Sequence, residues 1–296
     1  MTDFYDRDTV GINDRLVKCS VAGDLAGVAR LLAQGADPRH NDSDPLACAA
    51  CQGHAECVKL LIPVSDPKAN SSLALRWAAD NGHAECVDLL IPVSDPKIGD
   101  SQALRRAAEK GRLDCVRLLI PVSSPKDNDS KALRLAAWNG RAECVKLLIP
   151  VSDPKADGSN ALRWSAHNGH AECVRLLIPV SDTKVAKTGN ASAFLLAVAH
   201  GHFECAQLLL PFSDPDQNHK ALAASIKADR ADILSLMLAS DPPILRGSEL
   251  QTLLSSAISK DSPKAVALLS AIIEHQSISE HLGQPAPPGP VTAPRL

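Results

Sequence analysis

Nine cysteines and ten histidines are the side chains of this 296-residue chain best suited to metal, redox or nucleophilic chemistry. Six thiols, Cys57, Cys86, Cys115, Cys144, Cys173 and Cys205, each follow a Glu or Asp at near-regular intervals. Such a ladder is either a metal or redox array or one small buried side chain copied many times. A sharper cluster is Cys48-x-x-Cys51-x-x-His54-x-x-Cys57. Three thiols and an imidazole would suit tetrahedral zinc. The recurrent His-Ala-Glu-Cys also pairs a thiol with a base, but a nucleophile and its base must be placed once, in a pocket. No Gly-rich phosphate loop, HExxH or GxSxG occurs. No enzyme activity and no cofactor are therefore expected.

The elements that must position these residues recur every 29 residues. From Ala74 the chain reads ALRWAADNGHAECVDLLIPVSDPK, and close copies begin at Ala103, Ala132 and Ala161. The turn glycine of the register falls at Gly23, Gly53, Gly82, Gly111, Gly140, Gly169 and Gly201, with Asp229 and Asp261 at its place in two degenerate copies. The pattern predicts about nine helix–turn–helix units over residues 11–276, preceded by a flexible segment 1–10 and followed by a disordered, Pro-rich tail 277–296. Ala-Leu-x-x-Ala-Ala has the apolar spacing of a helix. Ser43, Ser72, Ser101, Ser130 and Ser159 stand two residues ahead of it, where a hydroxyl can cap the first turn. The second helix ends at Pro63, Pro92, Pro121, Pro150 and Pro179. Stacked pairs share a core that no single pair can close.

The segment Ala-Leu-Arg-Trp-Ala-Ala-x-Asn-Gly-His-Ala-Glu-Cys-Val-x-Leu-Leu resembles the ankyrin-repeat signature, as do Leu31-Leu32-Ala33-Gln34-Gly35-Ala36-Asp37 and Asp44-Pro45-Leu46-Ala47-Cys48-Ala49-Ala50. The resemblance implies an all-α, ankyrin-like solenoid that binds another protein on its concave face. The family repeat is about 33 residues. Aligning the helices puts the missing residues in Pro-Val-Ser-Asp-Pro-Lys, where the family has its β-hairpin finger. Short loops with little or no β-structure are expected, with a longer loop at Val185–Gly189.

The stacked architecture decides between the readings of the candidate residues. Neighbouring helices lie about 8–10 Å apart, whereas disulfide partners need Cα atoms within about 4.4–6.8 Å. The cysteine ladder is thus read as core packing. In the Cys48–Cys57 cluster, Cys48 aligns with Trp77, read as core-facing, and Cys51 with Asp80 near the surface, so no metal site is assigned. Arg76, Arg105, Arg134 and Arg163 form a second ladder, read as bonding loop carbonyls or a neighbour's Asp, or else as a basic stripe. Trp77 and Trp164 are read as core or semi-buried packing. The pairs Asp80-Asn81, Glu109-Lys110, Trp138-Asn139 and His167-Asn168 change chemistry at their first member while their flanks repeat. By the resemblance this end of the first helix faces the groove, with Trp138 beside His167 as an anchor.

A formal net charge of −3 and 3% aromatic residues argue against nucleic acid, and no apolar run approaches a membrane span. An odd cysteine count and no apolar leader in Met1–Val10 predict a reducing, cytoplasmic setting, with export that reads no such signal left open. A monomer is expected. The rival readings are a metal or redox protein built on the cysteines, and a spacer or regulatory subunit with no partner of its own.

Overall fold

The computed structural model describes residues 5–183, 192–239 and 247–282. The insertion Val185–Gly189 and the Pro-rich stretch 283–296 lie outside the described residues, and so do Lys184 and the side chain of Ser43. The described residues are helices and short connections with no strand among them, as the shortened repeat predicts.

Two compact units divide the chain, residues 1–193 and 194–296. The first contains α1 (Tyr5–Ala22), α2 (Leu25–Ala33), α3 (His40–Gln52), α4 (Ala55–Leu61), α5 (Ala69–Asn81), α6 (Ala84–Leu90), α7 (Ile98–Lys110), α8 (Leu113–Leu119), α9 (Asp127–Trp138), α10 (Ala142–Leu148), α11 (Ala156–His167) and α12 (Ala171–Leu177). Around and after the division come α13 (Ala193–Ala199), α14 (Phe203–Leu209), α15 (Pro215–Lys227), α16 (Ala231–Leu238), α17 (Gly247–Ser259) and α18 (Pro263–Leu282). Helix α1 starts inside the expected flexible segment 1–10, and α18 runs past residue 276.

In the first unit each odd-numbered helix packs on the next odd one, and each even-numbered helix on the next even one. The paired alanines make this close approach possible: Ala78, Ala79, Ala107, Ala108, Ala136 and Ala137 are all fully buried. From the second helices, Cys, Val and the second Leu enter the core, as in Cys86, Val87 and Leu90. Leu89, on the flank of the same helix, and Ile91 at its C-cap are only half-buried. Pro121 sits in a single 3₁₀ turn, Ile120–Val122, that closes α8.

The serines act differently from the expected helix caps. At the start of α5 the backbone makes a left-handed turn: Asn70, Ser71 and Ser72 have φ of 47°, 58° and 55°. Gly99-Asp100-Ser101, Asn128-Asp129-Ser130 and Asp157-Gly158-Ser159 repeat it. A left-handed residue costs roughly 1–2 kcal/mol unless it is Gly, or Asn or Asp with local hydrogen bonding. Those residue types fill most of these positions. The turn aims the buried serine hydroxyl at the loop that follows the second helix of the same pair, where it accepts a backbone N–H: Asp95 to Ser72 at 3.0 Å, Ser124 to Ser101 at 2.9 Å, Asp153 to Ser130 at 2.8 Å and Asp182 to Ser159 at 2.9 Å. Asn13 serves the first pair in the same way, accepting from Asp37 N–H at 2.8 Å.

A second set of bonds joins the other ends of the helices. His54, His83 and His170 place Nε2 2.9 Å from the carbonyls of Val21, Cys51 and Trp138 in the preceding repeat. Arg112 and Arg141 donate Nε–H to Asp80 and Glu109 carbonyls at 3.1 and 3.2 Å. Histidine and arginine alternate here because the position needs one N–H donor that reaches a helix-end carbonyl, which has no intrahelical partner. The turn glycine makes room for it. Gly111 has φ 75°, and a Cβ there would stand 2.8 Å from Arg141 Cδ; at Gly53 (φ 80°) it would collide with the His83 ring.

Candidate functional site

The first helices α5, α7, α9 and α11 present one face built from residues at two register positions, one helical turn apart. Trp77 and Asp80 come from α5, Arg106 and Glu109 from α7, Leu135 and Trp138 from α9, and Trp164 and His167 from α11. Residues three apart share a helix face, so these pairs extend as strips.

Two depressions lie along this face. One, of about 240 Å³, is lined by Arg76, Trp77, Asp80, Gln102, Arg106 and Lys110. Its neighbour, of about 210 Å³, is lined by Gln102, Arg105, Arg106, Glu109, Lys131 and Leu135. Beyond them stands an aromatic cluster. The Trp138 ring centroid lies 4.2 Å from that of Trp164 and 6.2 Å from that of His167, and Trp164 meets His167 edge-on at 5.2 Å. Trp138 is nevertheless 41% exposed.

The predicted residues divide by what they touch. Arg76 and Arg134 donate to the carbonyls of Asn70 and Asn128 in their own left-handed turns at 2.7 and 3.0 Å, and Arg105 does the same to Gly99. Arg76 also reaches Gln102 Oε1 at 3.0 Å, and Arg134 pairs with Asp157 at 2.8 Å. These arginines hold turns and stitch repeats, as the structural reading expects. Arg163 is half-buried at the same register position. Asn81 and Asn139 donate to the carbonyls of Trp77 and Leu135 four residues back, and Asn168 to that of Trp138 in the preceding repeat. Their amides serve helix ends. Lys110 is exposed on the rim of the first depression, beside half-buried Asp80. Glu109 pairs weakly with Arg106 at 3.4 Å, 28% and 48% exposed respectively.

Trp77 corrects the sequence reading: it is 38% exposed and lines a depression rather than the core. Cys48, aligned with it, is half-buried. The signal was present, since the same position carries Arg106, a residue seldom placed in a core. Gln102 and Lys131 were not singled out from the sequence at all. They sit about two turns before Glu109 and Trp138, and the helical period alone links them.

The ladder cysteines are buried. Burial pushes the thiols of Cys86, Cys115 and Cys205 up to about 11, the opposite of what a reactive thiolate requires. Among the described residues no three His, Cys, Asp or Glu side chains are grouped to hold a metal ion. In the Cys48–Cys57 cluster, His54 is bonded to the Val21 carbonyl, and Cys51 accepts from Asn81 at 3.3 Å.

The sequence model of the family described as Ankyrin repeats (3 copies) matches residues 16–100, 93–156 and 133–221, well over half of the chain. The chain belongs to the ankyrin-repeat family. Ankyrin repeats generally serve as protein–protein interaction modules, and the fold is typically non-catalytic. No curated protein matches the sequence. Among solved structures, the chain is similar to the crystal structure of the human ASB11 ankyrin repeat domain at 22% identity and a TM-score of 0.59. That match covers 68% of this chain and 98% of the other. At that identity the likeness concerns the fold. The helix pairs beyond residue 221 lie outside the family match, so their number as ankyrin repeats rests on the register alone. Among the described residues no helix is long and apolar enough to cross a membrane.

Proposed function

We propose that this ankyrin-repeat chain binds a protein partner through the first-helix face of its first unit, the concave face of the family, acting as an adaptor, inhibitor or effector without catalysis. One observation carries the reading. Asp80, Glu109, Trp138 and His167 differ in chemistry while the frame around them is copied almost unchanged, and all four border the depressions and the aromatic cluster of one face. A frame held by repeated serine, arginine and histidine bonds leaves those positions free to vary. An exposed Trp is also the residue type most enriched among interface hot spots. Buried free thiols support a reducing, cytoplasmic setting.

The test is affinity capture with the full chain, with an E109A/W138A/H167A variant, and with an E85A/D88A/R117A variant altered on the exposed second-helix face. Loss of partners from the first variant alone is expected. Recovery of the same partners by all three proteins favours the spacer reading and ends this one.

A further inference from the structure

The charge and shape of the face narrow the chemistry of the partner. Around the two depressions, cations outnumber acids. Arg106 and Lys110 are exposed, Lys131 is half-buried, and Arg76 and Arg105 line the floor beside them, against Asp80 and Glu109. This stands against the bulk, because the whole chain carries a formal −3. It also stands against the second-helix face of the same unit, where acids accompany bases, Glu56 with Lys59, Asp114 with Arg117, Glu143 with Lys146 and Glu172 with Arg175, and where α6 carries the two acids Glu85 and Asp88. The cations are crowded. Burial first, and the Arg106 charge second, make Arg76 a weaker acceptor of its proton than a free arginine. Like charges held together in a groove lower their energy when an anion enters.

At the α9–α11 end the character changes. Leu135 leads to Trp138, packed at a tilt against Trp164 and near-parallel to His167, and together they form a largely apolar surface with one exposed indole. With packed helices about 8–10 Å apart, α5 to α11 spans about 24–30 Å, the length of about seven to nine extended residues at ~3.3 Å each. We infer that the face receives an extended acidic segment of a protein, its carboxylates over Arg106, Lys110 and Lys131 and an apolar side chain seated on Trp138 and Trp164. This rests on the binding face proposed above and adds the chemistry of what binds there. A single-stranded nucleic acid would also meet cations and a stacking ring. Asp80 and Glu109, however, stand inside the cationic strip, where they oppose a continuous phosphate backbone more than spaced carboxylates.

The experiment pans a random-peptide display library on three full-length proteins: the unaltered chain, R106E/K110E/K131E and W138A. Selected peptides are resynthesised with a fluorescent label and measured by anisotropy beside a labelled oligo-dT. All three cations lie at or near the surface, and circular dichroism verifies that each variant keeps its helices. The expected result is enrichment of Asp and Glu together with one Leu, Phe or Trp. The charge reversal should weaken the selected peptides by tenfold or more. W138A should lose the preference for the apolar residue while keeping that for acids. Neutral or basic peptides that the charge reversal abolishes would remove the acidic inference and leave the binding face standing. Peptides indifferent to both variants would remove both. Absence of any enrichment, or oligo-dT binding tighter than the best peptide, would overturn the inference as well.

Discussion

The two units close their first helices with different chemistry. In the first, a glycine takes the left-handed position, and the next repeat sends a His or Arg side chain over it to a helix-end carbonyl, as Arg141 does across Gly111. In the second, Gly201 keeps that arrangement after α13, but Asp229 and Asp261 occupy the position after α15 and α17 at φ of 48° and 53°. Asp229 offsets its backbone cost with its own carboxylate, which accepts the N–H groups of Lys264 and Ala265 at 3.0 and 3.1 Å and so caps α18. Ser262 adds a buried bond to the Ile226 carbonyl at 2.6 Å. One left-handed corner is therefore built twice, by making room for a neighbour's donor or by supplying an acceptor from the corner residue. The exposed faces differ as well. Where the first unit has Asp80, Glu109, Trp138 and His167, the second has Ala199, Lys227 and Ser259. The cationic strip and the indole cluster belong to the first unit.

The largest expected effect separates the two corners. Gly111→Ala should cost about 2–3 kcal/mol, from left-handed strain and the loss of the Arg141–Glu109 bond. Asp229→Gly keeps the backbone relaxed and loses only a cap, so a few tenths of a kcal/mol is expected. Urea unfolding of the two variants measures both. Equal losses would mean that the corners do not work differently.

Next in size is the serine ladder. Ser101→Ala leaves the Ser124 N–H without its acceptor in a partly buried loop, a loss of about 1–3 kcal/mol. A loss is also expected in hydrogen-exchange protection at Ser124, in the loop after α8 rather than in α7. Protection lost within α7 instead would restore the role of a cap for its own helix.

That serine shows where the sequence stopped being legible. Glycine spacing, paired alanines and the prolines of the second-helix ends are local patterns, and they placed the helix pairs; the absence of strands followed from the repeat's shortness against the family it resembles. The serine bonds span 23 residues of sequence and depend on a three-residue left-handed turn. Position relative to its own helix gave no hint of that. Trp77 was misplaced for a related reason: an aromatic in an Ala-rich helix reads as core, and only Arg106 at the same position says otherwise. The variable residues were legible because everything around them repeats. Lys131 was not, because only the folded helix faces bring it beside them, and Trp164 was read only as packing.

The smallest effect concerns the thiols. Burial holds Cys86 and Cys115 at about 11 against an ordinary 9.0, and raises Cys57 and Cys144 as well. Between those values the unfolded chain releases protons that the folded chain retains. Stability that is fully present below about pH 9 is therefore lost as the pH rises toward about 11. Cys86→Ala/Cys115→Ala should flatten the alkaline fall of the urea midpoint. Cys205→Ala should flatten it less, because it removes one raised thiol from the second unit. An unchanged alkaline slope in the double variant would show that the ladder does not titrate as buried thiols.

The most direct measurement places a photocrosslinking amino acid at position 109, on the first-helix face, and in a second protein at position 88, on the second-helix face. Each full-length protein is irradiated in a lysate. Discrete protein adducts from position 109, absent from position 88 and lost when Trp138→Ala is added, are predicted. Adducts from position 88 alone, or the same adducts from both, would contradict the account.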